Sequence, residues 1–197
     1  MIMKIFLKHK KRSLKNNKGF TIIELVVVFF IMASILAVVI PGYLEYSTKL
    51  DLENLALDVA LTIREAQSYG AGSKVTLTGG FFDKPYGVHF DTSNTSRFIF
   101  FENTNTADNI YSGGDTIINT LIIKPGYFIN KLCTQTGGAG YVCGATSIDI
   151  IYKRPNPDAI ISRNVSGGAY NNAKIELISP DQATTSVYVS DNGNVSL

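Results

Sequence analysis

Residues 20–40, FTIIELVVVFFIMASILAVVI, are almost uninterrupted hydrocarbon, and this run limits what the chain can become more than any other feature of its 197 residues. At a rise of about 1.5 Å per residue it spans roughly 32 Å as a helix, against a bilayer core of about 30 Å. A buried helix in a soluble protein is seldom this long and apolar on every side. Seven of the 18 Lys and Arg residues precede it within residues 1–19, where there is no Asp or Glu. The flank that follows is acidic to neutral, with Glu45, Asp51 and Glu53 against Lys49. The positive-inside rule then puts residues 1–19 in the cytoplasm and residues 41–197 outside.

The formal net charge of +2 therefore conceals a division: beyond residue 19 the chain has 11 basic and 16 acidic residues. An acidic body argues against binding nucleic acid through bulk electrostatics and leaves only a local basic patch open. The apolar run is also longer than the roughly 7–15 residues of a secretory signal, and no A-x-A-like cleavage site follows it. The junction reads Lys18-Gly19-Phe20-Thr21-Ile22-Ile23-Glu24. Glu24 is the anomaly, because an acid at the centre of a spanning helix costs about 2.5–3.5 kcal/mol on insertion scales and usually marks a function. The alternative is a polar residue tolerated near the end of an ordinary signal anchor.

Lys-Gly-Phe-Thr-Ile-Ile-Glu-Leu resembles the processing signature of type IV prepilins and type II secretion pseudopilins. The resemblance implies that prepilin peptidase removes a cytoplasmic leader, residues 1–19, by cutting between Gly19 and Phe20, and that the new α-amine on Phe20 is methylated. It further implies that Phe20 and Glu24 drive filament assembly, the cationic amine of one subunit neutralising Glu24 of its neighbour and setting axial register. A leader of this length is long for the family, so Met1 and Met3 both stand as starts. Pro41-Gly42 follows the run, and proline deletes a backbone donor and crowds the preceding turn, which predicts a helix kink or a membrane-exit break. Many pilins resemble this chain in having a proline at that distance from the cut.

Residues 41–72 read as an amphipathic continuation, with Leu52, Leu55, Val59, Ile63 and Ala66 recurring at spacings of three and four. Residues 20–69 would form one helix of about 75 Å, closed by Tyr69-Gly70-Ala71-Gly72 as a glycine C-cap. Residues 73–197 read as a β-rich extracytoplasmic head, with candidate strands at 74–78, 86–91, 97–102, 116–123, 148–153, 159–163, 174–179, 184–190 and 194–197. Gly-Gly pairs at 79–80, 113–114, 137–138 and 167–168 separate several of them, and Asn192-Gly193 signals a hairpin. The expected fold is α+β, a long N-terminal helix on an antiparallel sheet or sandwich. IREAQSYG, PYGVHF, FIFFENTNTADNIYSGGD and IDIIYKRPNPDA resemble the GspH/FimT-type minor pilins and pseudopilins.

The chemistry of the head is sparse. Cys133 and Cys143 lie ten positions apart without clustered His, too few ligands for a zinc site. Outside the cytosol a disulfide is favoured over two reduced, buried thiols. Of two histidines, His9 belongs to the leader and His89 sits mid-strand, so no catalytic constellation is visible. A single-span membrane-anchored enzyme is accordingly the weakest reading. The loop from Asn103 to Asp115 is rich in oxygen ligands, and some pseudopilins bind calcium, but its spacing departs from an EF-hand and favours a solvated turn. Some FimT-type relatives bind DNA through C-terminal arginines. Here residues 190–197 contain neither Arg nor Lys, leaving Lys153, Arg154 and Arg163 as a small scattered patch. The expected partners are prepilin peptidase, other pilin or pseudopilin subunits and the inner membrane. A minor pilin or pseudopilin is the leading expectation, and a FimT-like pilin whose head captures DNA or another extracellular ligand is the alternative.

Overall fold

A computed structural model describes residues 19–72, 84–106, 108–164 and 166–197. The leader up to Lys18 and the candidate strand 74–78, with the Gly79-Gly80 pair, lie outside the described residues. The chain divides into two compact units, Met1–Tyr43 and Leu44–Leu197, and one helix, α1 (Ile22–Ala71), contributes to both.

In the first unit the helix is apolar all round. Its large side chains from Ile22 to Tyr43 are solvent-exposed, as expected of a segment built for lipid or for neighbouring helices. Pro41 lies inside α1.

In the second unit α1 has a single apolar stripe, and it packs on two antiparallel sheets. One sheet has the order β3-β2-β1-β6-β7-β8. Its strands are β1 (Tyr86–Asp91), β2 (Arg97–Glu102), β3 (Thr116–Ile122), β6 (Ser147–Lys153), β7 (Asn156–Arg163) and β8 (Ser166–Tyr170). The other has the order β11-β10-β9-β4-β5. It comprises β4 (Phe128–Gln135), β5 (Val142–Cys143), β9 (Asn172–Ile178), β10 (Thr184–Ser190) and β11 (Val195–Ser196). Leu52, Ala56, Val59, Ala60, Ile63 and Ala66 of the helix share one core with Val88, Phe90, Phe100, Ile148 and Ile150 of the first sheet and Leu132, Ile175, Leu177 and Val187 of the second. The stripe is thus wider than the large residues alone indicate: Ala56 and Ala60 belong to it and permit close approach.

The far face of the six-stranded sheet is also covered. Ile99, Phe101 and Ile151 form a second, small cluster under Tyr111 and Ile160. Burial on both faces explains why RFIFFE and IDIIYK read as nearly continuous apolar runs rather than alternating ones.

The structure settles the helix end and departs from the sequence reading at two places in the sheets. The helix ends within Tyr69-Gly70-Ala71-Gly72 as expected, its last residue being Ala71 and the Gly72 amide donating to the Ser68 carbonyl at 2.9 Å. Gly70 is there for proximity, since a Cβ on it would lie 2.5 Å from the Tyr152 carbonyl oxygen. Gly167 and Gly168 lie within β8 rather than between strands. Strand β4 is not apparent in the sequence because a bulge at Ile129–Lys131 puts Asn130 and Lys131 both outward and breaks the two-residue alternation. The Asn192-Gly193 turn does join β10 to β11, with Gly193 at φ +79, a conformation glycine adopts without strain.

Gly70→Ala should destabilise the second unit by about 1–3 kcal/mol, as overpacking against a backbone does. Gly113→Ala, where an added Cβ meets nothing within 4 Å, should stay within about 0.5 kcal/mol. Urea unfolding of the two variants side by side checks the pair.

Candidate functional site

The junction around the helix start is assembled from a few residues. Gly19, Phe20 and Thr21 are non-helical and α1 begins at Ile22. Thr21 is the N-cap: its Oγ1 accepts from the Glu24 amide at 3.3 Å, and its carbonyl accepts from the Leu25 amide at 3.2 Å. Thr21-Ile22-Ile23-Glu24 has the spacing of a capping box, in which the cap hydroxyl satisfies an otherwise unpartnered amide of the first turn. The sequence points to Gly19, Phe20 and Glu24 as candidates, and its T-x-x-E signal also marks Thr21 as a cap. Phe20 is 82% exposed and Ile22 84%. The helix behind them is long and apolar enough to cross a membrane.

In the head, Cys133 and Cys143 form a disulfide. They sit directly opposite each other, Cys133 on β4 and Cys143 on the two-residue strand β5. The bond fastens the Gly-rich loop between them, which brings Tyr141 against Tyr188 with ring centroids 6.0 Å apart. Arg163 reaches the same place from β7, donating to Thr134 Oγ1 at 3.3 Å and to the Val142 carbonyl at 3.4 Å. Lys153 donates to the Thr106 carbonyl at 3.3 Å. Two of the three cations of the basic patch thus contact other parts of the fold.

The oxygen-rich loop is organised by its own side chains. One Asp115 oxygen accepts from the Thr104 amide at 2.8 Å and the other from the Ser112 amide at 2.7 Å. Asp108 accepts from Asn105 Nδ2 at 2.6 Å. Among the described residues no group of three or more His, Cys, Asp or Glu is arranged to hold a metal ion.

The most chemistry-like arrangement lies on the covered face of the six-stranded sheet. His89 and Asp149 are cross-strand partners on β1 and β6, with Nδ1 2.6 Å from the carboxylate. Both are largely buried, and the imidazole packs on Tyr111 at 4.7 Å. Burial raises the Asp149 carboxyl above its ordinary range, opposed by the His89 hydrogen bond and by the Tyr111 amide. A cleft of about 140 Å³ beside the pair is lined by His89, Asp91, Asn94, Arg97 and Tyr111, with Phe98 and Ile99. This is a base with its orienting acid, but the lining supplies no Ser, Thr or Cys as nucleophile. The pair was not legible because its members are 60 residues apart. At the end of the same sheet, burial and then the neighbouring Glu102 push the Tyr86 hydroxyl up to about 12.

Asp149→Ala should cost about 1–3 kcal/mol, by leaving a buried imidazole N–H and an amide without their acceptor. In Asp149→Asn the linkage changes. A carboxyl raised on folding contributes stability that is full below its unfolded pKa and is lost as pH rises through the folded one, so that loss should vanish in the Asn variant. Urea titrations of residues 44–197 between pH 3 and 7 check both. Reduction of Cys133–Cys143, which closes a short loop, should lower stability by about 2–3 kcal/mol in the same assay.

Residues 14–40 match the family model of the prokaryotic N-terminal methylation motif, the type IV prepilin signature. Comparison of the chain with curated proteins and with solved structures gives no match. The motif indicates a structural subunit that is processed by prepilin peptidase and assembles with other pilin subunits.

Proposed function

We propose that this type IV pilin-like protein is a minor pilin or pseudopilin, a filament subunit of a type IV pilus or a type II secretion pseudopilus. The observation that carries the reading is the matched segment 14–40, which sets Gly19 and Phe20 ahead of an exposed apolar helix and Glu24 in its first turn. Prepilin peptidase hydrolyses the Gly19–Phe20 peptide on the cytoplasmic side. Gly19 leaves as the carboxylate end of the leader, and Phe20 keeps the α-amine, which then receives a methyl group and stays cationic. Residues 20–40 hold the subunit in the inner membrane as a single span until it enters the filament, with the head outside.

Glu24 then has a partner. In a bundle of such helices, the Phe20 amine of one subunit lies at the depth of the carboxylate of the next. An ion pair buried this way is well suited to fixing register, because any other register leaves both charges unpaired in an apolar medium. The disulfide supports an extracytoplasmic head, since such bonds persist in oxidising compartments. The local likenesses to GspH/FimT-type subunits support reading it as a minor rather than a major subunit. Capture of DNA by the head has no comparable support, given its acidic balance.

Mass spectrometry of the protein from its own host should find a mature chain beginning at N-methylated Phe20. An uncut chain, or one cut beyond Pro41, would make it an ordinary anchored or secreted domain. Glu24→Ala should be cut and should fold its head normally, yet drop out of sheared filament fractions by at least tenfold. Incorporation at the wild-type level would remove Glu24 from the assembly mechanism.

A further inference from the structure

We propose that Thr21 is a positioning residue for the cut at Gly19–Phe20: by capping α1 it fixes where the helix begins and so keeps the scissile peptide outside it. The inference rests on the processing reading above and adds a residue to it.

The case starts from the competing fates of the helix end. An apolar helix is cooperative, and its first turn leaves four amides without partners, a serious cost near hydrocarbon. Without a cap the end is free to move in either direction. It can grow toward the leader through Phe20 and Gly19, or it can fray inward, because Ile22 and Ile23 are β-branched and weak helix formers. Growth draws the scissile carbonyl into the helical hydrogen-bond ladder, where hydrolysis must first unwind it. Fraying moves the start past Glu24 and exposes unpaired amides. Each residue of drift shifts the junction about 1.5 Å along the axis, and a full turn shifts it 5.4 Å. An active site held at fixed depth in the same membrane tolerates little of that.

The structure shows how the end is held. The Thr21 hydroxyl accepts from the Glu24 amide, the Thr21 carbonyl accepts from the Leu25 amide, and Phe20 and Gly19 stay non-helical. Gly19 acts in the same sense from the other side, since glycine in a helix interior costs about 1 kcal/mol relative to alanine. The cap is thus two residues from the scissile peptide. It also places Glu24 at the third helical position, where a carboxylate is favoured by the helix dipole. The residue that assembly uses and the bond that the peptidase cuts are set by the same hydroxyl.

Hydrolysis adds one water across the Gly19–Phe20 bond, giving a carboxylate on Gly19 and an ammonium on Phe20, and Thr21 takes no part in that exchange. Its effect is on the population of cuttable chains. The test uses the full-length chain in liposomes with a purified prepilin peptidase, comparing wild type, Thr21→Val, Thr21→Ser and Thr21→Asn. Valine keeps the shape and loses the acceptor, whereas serine and asparagine lose the shape and keep a capping oxygen. The expected result is kcat/KM lower by about fivefold for Thr21→Val, with the Ser and Asn variants within twofold of wild type. Amide exchange at Glu24 and Leu25 should quicken in the Val variant and return to the wild-type rate in the other two. Wild-type cleavage of Thr21→Val overturns the proposal, and so does cleavage of the Ser and Asn variants as slow as that of Val, which would mean the peptidase reads the threonine side chain directly. An uncut wild-type chain overturns the processing reading itself, and this inference with it.

Discussion

The second unit depends on one packing event, the burial of the stripe from Leu52 to Ala66 against both sheets at once. Val59, Ile63 and Ala66 are fully buried, and each large aliphatic side chain so placed contributes about 1.5–3 kcal/mol. The contribution is shared: the stripe contacts one core to which both sheets present their inner faces. Ala56 and Ala60 let the helix approach, and Gly70 lets its last turn touch the Tyr152 backbone. Polar contacts then fix direction, with Arg64 donating to the Val195 carbonyl at 2.9 Å and Lys124 paired to Asp51 at 2.6 Å. These add little energy at the surface, but they define which way the helix lies.

The composition of the helix changes along its length, from one suited to apolar surroundings to one suited to a core on one side and water on the other. From Ile22 to Tyr43 nothing distinguishes one face from another, as befits a segment whose surroundings are apolar in every direction. Beyond Leu44 a stripe appears, because one side must meet a core and the other water. Glu24 violates the first rule at the place where violation costs least. It lies in the first turn, where the unpaired amides and the macrodipole favour a carboxylate. Moved two turns deeper, the acid would forfeit that compensation and still need a partner.

Much of this was legible in the sequence and some was not, for definite reasons. The helix, the junction residues and most strands follow from periodicity and from a few residue types in fixed spacing. Strand β4 was missed because the bulge at Ile129–Lys131 reverses the alternation partway along it. The helix end at Tyr69–Gly72 was legible, but the contact that requires Gly70 was not, because it is with a strand some 80 positions away in sequence. The disulfide needed only two cysteines and a compartment. His89–Asp149 needed the register of β1 on β6, which no local pattern encodes. Thr21 is legible locally, because a capping hydroxyl three residues before an acid is a fixed-offset signal.

The family model matches residues 14–40, and the head and the junction meet different demands. The head needs a core of suitable volume and alternating strands, and many sequences meet that demand, because interiors accept extensive hydrophobic exchange when volume and pattern are kept. The junction must satisfy three unrelated demands, two of them within the six residues from Gly19 to Glu24. On the proposed reading, glycine serves close approach at the scissile bond and an acid serves the neighbour's amine, with an apolar helix of bilayer length behind them. Each demand selects a residue type at a fixed offset, and no change elsewhere in the chain can compensate for a shift of one position. The Thr21 cap, through its bonds to the Glu24 and Leu25 amides, gives those offsets a fixed origin at the first residue of the helix.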